Sequence, residues 1–252
     1  MSATCDVLAT MSEAAARIRL QPVFLLHQRP YRDSSELLEV LTVDYGRLGV
    51  ISRGSRGRRS RLRGLLRPFA PLLMSLSLRG DLATLTAAEA AAPPSGLAGE
   101  ALFAAYYLNE LILRLTERRD PCPSVYSAYS TALTQLAVAD AALAPVLRRF
   151  EKRLLEALGY GLLLENEAMT GLAIDPELTY DYRPEHGPVQ LRAGQKAALP
   201  VRGATLMALA ADCLEDEPGL GEARRVLRAS LDLQLGDRPL KTRQVLRAMK
   251  RR

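Results

Sequence analysis

Nine arginines fall between Tyr45 and Gly80, at positions 47, 53, 56, 58, 59, 61, 63, 67 and 79, in a window that contains no Asp or Glu. Guanidinium is the side chain best suited to phosphate, because its planar fork donates two parallel hydrogen bonds and it stays charged at any cellular pH. The dense part of the cluster, Arg53, Arg56, Arg58, Arg59, Arg61, Arg63 and Arg67, is interleaved with Gly54, Ser55, Gly57 and Ser60. That composition reads as a flexible cationic loop rather than a helix stripe. A nucleic-acid backbone held by such a loop is bound with strong salt dependence and little sequence preference. Single-strand binders usually add aromatic stacking. The aromatics in this part of the chain are Phe24, Tyr31, Tyr45 and Phe69. The two Phe read as core, which leaves Tyr45 and Tyr31 as stacking surfaces.

Other chemistries lack their usual residues. Cys5, Cys122 and Cys213 are odd in number and far apart, and His27 and His186 are the only histidines, so neither a disulfide framework nor a zinc site is indicated. The chain has no G-x-x-x-x-G-K-S/T phosphate loop, G-x-S-x-G elbow or H-E-x-x-H pair. Asp212, Glu215, Asp216 and Glu217 precede Pro218-Gly219 and read as a solvated helix end rather than a metal cluster. The expectation is a binding protein with no catalytic residues, metal or cofactor. A nuclease and an RNA-binding barrel are the alternatives. The first requires carboxylates beside the groove, and the second favours stacking aromatics that this region mostly lacks.

The elements that must position the arginines follow from hydropathy period. The chain has 252 residues with a net charge of +6, and it contains no apolar run of membrane-spanning length. Short apolar runs punctuated by turn residues, with period-two alternation in places, mark strands over 20–28, 36–43, 47–53, 71–78 and 82–89, with Leu72, Met74, Leu76 and Leu78 on one face. Five short strands fit a small barrel of the oligonucleotide-binding type, with SH3-like barrels as the competitor. Pro93-Pro94-Ser95-Gly96 then breaks the pattern, and helical period follows over 102–115, 124–138 and 143–158, the last ending at Gly159. An extended insert over 178–191 precedes helices near 203–214, 221–235 and after Pro239. The tail from Glu222 onward is basic. The fold class is α+β, with an N-terminal extension over 1–18, a barrel over 19–92, a central helical domain over 93–175, and the insert with basic helices over 176–252.

Several segments together resemble the RecO family of bacterial recombination mediators. They are Phe24-Leu-Leu-His-Gln-Arg-Pro-Tyr31, Gly46-Arg47-Leu48, Arg53-Gly54-Ser55-Arg56 and Leu65-Leu66-Arg67-Pro68-Phe69 in the barrel, then Tyr107-Leu-Asn-Glu-Leu111, Leu147-Arg-Arg-Phe-Glu151, Leu158-Gly-Tyr-Gly161 and Arg238-Pro-Leu-Lys-Thr-Arg243. The resemblance implies a cytoplasmic, nucleoid-associated protein that binds single-stranded DNA, anneals complementary strands without ATP, and helps load RecA, often with RecR. Double-stranded DNA is a second polyanion that the same charges could hold. The resemblance also implies that the acidic, apolar-ended tail of the single-strand-binding protein SSB docks on the central helices at Arg148 and Arg149. Many relatives carry a four-cysteine zinc motif around 165–191. This sequence has no cysteine there, so it resembles the zinc-free branch.

Overall fold

The computed structural model describes residues 16–94, 96–138, 140–192, 194–237 and 239–249. The first part is a closed barrel of β1 (Ala16–Tyr31), β2 (Ser35–Thr42), β3 (Arg47–Ser52), β4 (Pro71–Arg79) and β5 (Leu82–Ala90), in the order β1-β2-β3-β5-β4. All neighbours are antiparallel except β3 and β5, which run parallel. This is the connectivity expected of an oligonucleotide-binding barrel. On β4 the alternation places Leu72, Met74 and Leu76 in the interior, as the period-two pattern predicts, and Leu78 is half-buried. β1 begins at Ala16, inside the expected 1–18 extension, because Ile18 is buried in the barrel opposite Leu76. The rest of that extension lies outside the described residues.

The helices follow as α1 (Gly99–Leu115), α2 (Pro123–Leu136), α3 (Leu143–Ala157), α4 (Gly203–Ala210), α5 (Glu217–Leu235) and α6 (Lys241–Met249). The insert is a hairpin, β6 (Thr179–Arg183) and β7 (Gly187–Gln190), joined by a third strand, β8 (Pro200–Arg202), paired to β6. At three residues, β8 is too short to leave a periodic signal. α5 starts earlier than its apolar period because Asp216 caps it, accepting from the Gly219 amide at 2.9 Å, while Pro218 suits the first turn. No described helix is long and apolar enough to cross a membrane.

β1 joins the two parts. Val23 and Leu25 point into the barrel core, whereas Phe24 and Leu26 point into the helical core, so the strand is buried on both faces. Phe24 meets the rings of Tyr126 and Tyr129, each at 5.2 Å between centroids. The β1–β2 register shifts between Leu25 and His27, which takes Leu26 out of the β2 ladder. Its carbonyl accepts instead from the Asn109 side-chain amide at 2.8 Å, and the Tyr129 hydroxyl in turn donates to Asn109. Asn109 is buried, so its loss strands a carbonyl where water cannot replace the donor. Asn109→Ala is expected to destabilise the protein by about 1–3 kcal/mol in urea unfolding.

Candidate nucleic-acid interface

The β3–β4 connection carries the arginine cluster, and it is folded rather than open. Ser55 is fully buried, and its hydroxyl donates to Glu36 at 2.7 Å. The Arg56 amide donates to the Ser34 carbonyl at 2.9 Å, and the Gly57 amide closes a turn on Gly54. Ser60 then caps a 3-10 turn over Arg61–Gly64. Leu66 is buried in the barrel core with Leu62 and Leu65 packed against it, and Phe69 sits in the helical core against Tyr106. The small polar residues and leucines between the arginines therefore point inward or close turns. Arg53, Arg56, Arg58, Arg59, Arg61, Arg63 and Arg67 are left exposed. Among the described residues none of these seven forms an ion pair, and Arg56 also reaches the Arg32 carbonyl. A flexible loop would have to be ordered on binding, whereas this one has its backbone already held and its arginine side chains directed to solvent.

Tyr45 does not join them. It is exposed in the β2–β3 turn, whose geometry is held by the Thr42 hydroxyl, with the Tyr45 amide donating to it at 3.0 Å. The six residues of β3 separate that turn from the loop, on the order of 20 Å along the strand. The β1–β2 turn does reach the loop. Tyr31, half-buried, lies under the Arg32 guanidinium at 5.2 Å, and Arg29 is exposed on the same strand end. The acid-free window could not show this partnership, because Arg29 and Arg32 lie before it and meet the loop only through strand pairing. The carboxylates nearby are Asp33 in the β1–β2 turn and Glu36, which is taken up by Ser55.

The two helical arginines have different surroundings. Arg148 is buried, and its guanidinium donates to Glu151 at 2.7 Å, the i,i+3 pairing on α3. Glu151 also accepts from the Tyr107 hydroxyl at 2.6 Å, and burial together with that carboxylate pushes the Tyr107 phenol far above its usual range. Arg148 therefore holds the helical core and is not displayed to a partner. Arg149 faces the other way, donating to Gln135 and to the Asp212 carbonyl at 3.1 Å. Lys152 and Arg153 reach the Asp212 carboxylate at 3.0 and 3.2 Å. Lys152 also lines a cleft of about 410 Å³ of mixed character, with Leu162, Leu163 and Leu164 on one hand and Glu156, Glu165 and Glu167 on the other.

Family models described as the N-terminal and C-terminal parts of Recombination protein O match residues 18–94 and 97–244. The chain belongs to the RecO family. A DNA repair protein RecO of Nitrosococcus oceani is 48% identical over 93% of this chain and 95% of its own length. That of Alkalilimnicola ehrlichii is also 48% identical, covering 93% of each chain. That of Coxiella burnetii is 40% identical over 91% of this chain and 98% of its own length.

The segment around 165–191 contains no cysteine. Here it is organised by Glu167, a buried carboxylate. Glu167 accepts from the Met169 amide at 2.9 Å, from the Thr170 amide and hydroxyl, and from the Gln190 amide of β7. The Thr170 hydroxyl leads these bonds, which hold its carboxyl below the usual range against the opposing effect of desolvation. A depressed carboxyl contributes stability that is present above its unfolded pKa and is lost as pH falls through the folded one. The stability difference between wild type and Glu167→Gln is therefore expected to be full at neutral pH and to shrink only in acid, as followed by thermal melting across pH. Arg148→Ala leaves Glu151 buried and uncompensated, and is expected to cost about 3–5 kcal/mol of stability in denaturant unfolding.

Proposed function

We propose that this protein is a DNA repair and recombination mediator that binds single-stranded DNA through the arginine loop, anneals complementary strands and assists RecA loading on SSB-coated DNA without ATP. The observation that carries the reading is a folded loop at one end of an oligonucleotide-binding barrel with seven exposed arginines that form no ion pair among the described residues. The names of its relatives supply the repair context. Annealing needs a cationic surface that lowers the repulsion between two phosphate backbones while leaving the bases free to pair. A phosphate-led grip with few stacking aromatics suits that task better than it suits selective RNA recognition, which works largely through stacked and hydrogen-bonded bases. Phe24 and Phe69 are buried in the helical core, so they offer no bases a platform.

Partner contacts belong to the helices in this reading, with RecR as a further partner implied by the family. An acidic, apolar-ended tail such as that of SSB needs cations beside a hydrophobic recess. Arg149 and Arg153 on α3 supply the cations in this reading and Leu162, Leu163 and Leu164 the apolar part of the adjoining cleft, with Lys152 buried on Asp212 and Arg148 supporting the helix from within. The bound tail competes with Asp212 for the same cations. Charge reversal at Arg56, Arg58 and Arg59 is expected to weaken single-strand binding at least about tenfold and to reduce the slope of log affinity against log salt by about 2, with thermal stability unchanged. Fluorescence anisotropy over a salt series tests this; an unchanged slope rejects the loop as the interface.

A further inference from the structure

The barrel wall that the helices leave bare carries a second set of unpaired cations. The barrel residues in the helical core are Phe24, Leu26, Leu41 and Phe69, which come from β1, β2 and the end of the arginine loop; none comes from β3, β4 or β5. On the outer face of β4 and β5 the alternation leaves Ser75, Ser77, Thr84 and Thr86 at least partly exposed. Strand pairing aligns these hydroxyls with cations on one side and the arginine loop on the other. Arg17 is opposite Ser77, Ser77 is opposite Thr84, and Thr84 is opposite Ile51 of β3, the strand that runs directly into Arg53. The row crosses four strands, roughly 14 Å at the usual strand spacing. Arg17, Arg19 and Arg79 are exposed, and among the described residues none has a carboxylate partner. The carboxylates bordering the wall are Asp81, which acts on Arg118, and Glu89 at the far end of β5.

The bulge between Ile18 and Gln21 adds an unusual feature. Leu20 is 54% exposed and sits at φ 48, a left-handed conformation that a non-glycine residue adopts at a cost. Its amide donates to the Ser75 hydroxyl at 3.2 Å, which ties the bulge to the hydroxyl row while the apolar side chain stays exposed. Strain of this kind persists where the surroundings enforce it, and it concentrates at binding surfaces.

We propose that this wall is a second phosphodiester-binding surface, which continues the track of the arginine loop around the barrel for one single-stranded nucleic acid. Arg17, Arg19 and Arg79 take backbone phosphates, the Ser77 and Thr84 hydroxyls donate to phosphate oxygens, and Leu20 packs against a base. Backbone positioning by arginine and hydroxyl donors requires no sequence recognition. The inference rests on the loop being a nucleic-acid interface, and it extends that interface to residues at the start of β1 and the end of β4.

The test uses the full chain and oligothymidylates of about 4 and about 16 nucleotides, the ends of the site-size range for one such barrel. The triple variant Arg17→Gln, Arg19→Gln, Arg79→Gln is expected to bind the short oligomer within about twofold of wild type and the long one about tenfold more weakly. Its salt slope on the long oligomer should fall by about 2, at roughly 0.7 per lost contact. Ser77→Ala with Thr84→Val, which leaves the charges in place, should weaken long-oligomer binding without changing the slope. If the loop variant loses binding while the arginine triple variant keeps wild-type affinity and slope on the long oligomer, the wall inference is overturned and the loop reading stands. If the loop variant itself binds as wild type, the loop reading fails and the wall inference falls with it.

Discussion

A single strand buried on both faces holds this molecule together. β1 supplies Val23 and Leu25 to one core and Phe24 and Leu26 to the other, so neither the barrel nor the helical part can shift without exposing apolar surface from both. Burying a strand twice raises a hydrogen-bonding problem, because a bulge within it leaves a backbone carbonyl without a ladder partner. Asn109 and Tyr129 resolve it from α1 and α2. A second joint lies across the barrel, where Arg47 binds Glu39 and the Thr116 carbonyl, and Arg118 binds the same carboxylate. Gly46 is required there, since at φ 62 a Cβ would lie 1.9 Å from the Asp120 carbonyl oxygen. The helices are thereby pinned to one side of the barrel, with Arg118 against Gly49 of β3 and Arg119 on the Gly80 carbonyl, which leaves the arginine loop and the outer face of β4 and β5 open among the described residues.

Arginine serves two opposite purposes in this chain, and carboxylate geometry separates them. Arg47, Arg118, Arg148 and Arg202 each end on Glu or Asp and join elements: β3 to the α1–α2 link, the turns of α3, and β8 to α5. Among the described residues the arginines of the β3–β4 connection have no such partner, and in the proposed reading their charge serves an external anion. Arg243 shows how far the first role extends. It lies over the Tyr107 ring at 5.8 Å and pairs with Asp232, while Glu110 accepts from the first amides of α6, so the basic terminal helix is clipped to α1 through polar contacts. Part of the positive charge in the tail is thus spent on structure.

Local pattern and long-range pairing divide what could be read from the sequence. β4 was legible because only one of its faces is inside, which period two reports directly, whereas β1, buried on both faces from Val23 to Leu26, was legible as a short apolar run. The arginine loop was legible as a charge run, but its rigidity was not. That property comes from Ser55 on Glu36 and Leu66 in the barrel core, both contacts made across strands. Tyr45 and Tyr31 look equivalent in the linear sequence; only the β1–β2 pairing puts Tyr31 beside the loop and leaves Tyr45 at the other end of β3. Arg148 and Arg149 are likewise adjacent in sequence, yet a helix turns consecutive side chains by about 100° and sends one into the core and one toward Asp212. Glu151 stands at i+3 from Arg148 and their pairing is a local signal, but Tyr107, which joins the pair in the core, comes from α1 and no local signal announces it.

Rigidity in the loop also bears on how a protein of this kind can hold DNA without reading it. Ordering long side chains and backbone on binding costs free energy that subtracts from affinity. A loop already fixed by buried Ser55, Leu66 and Phe69 avoids most of the backbone share, so affinity can rest on phosphate contacts alone and need not recruit bases. Contacts to phosphate also leave the Watson–Crick edges free. A protein that gripped bases by stacking would have to release each one before it could pair, whereas one that grips the backbone can keep its hold while pairing proceeds. Counterions released on binding compensate the strands for their mutual repulsion only while the cations remain unpaired by the protein itself. In the proposed reading the absence of carboxylates from positions 45 to 80 matters, since a single well-placed Glu would turn a loop arginine into another Arg148.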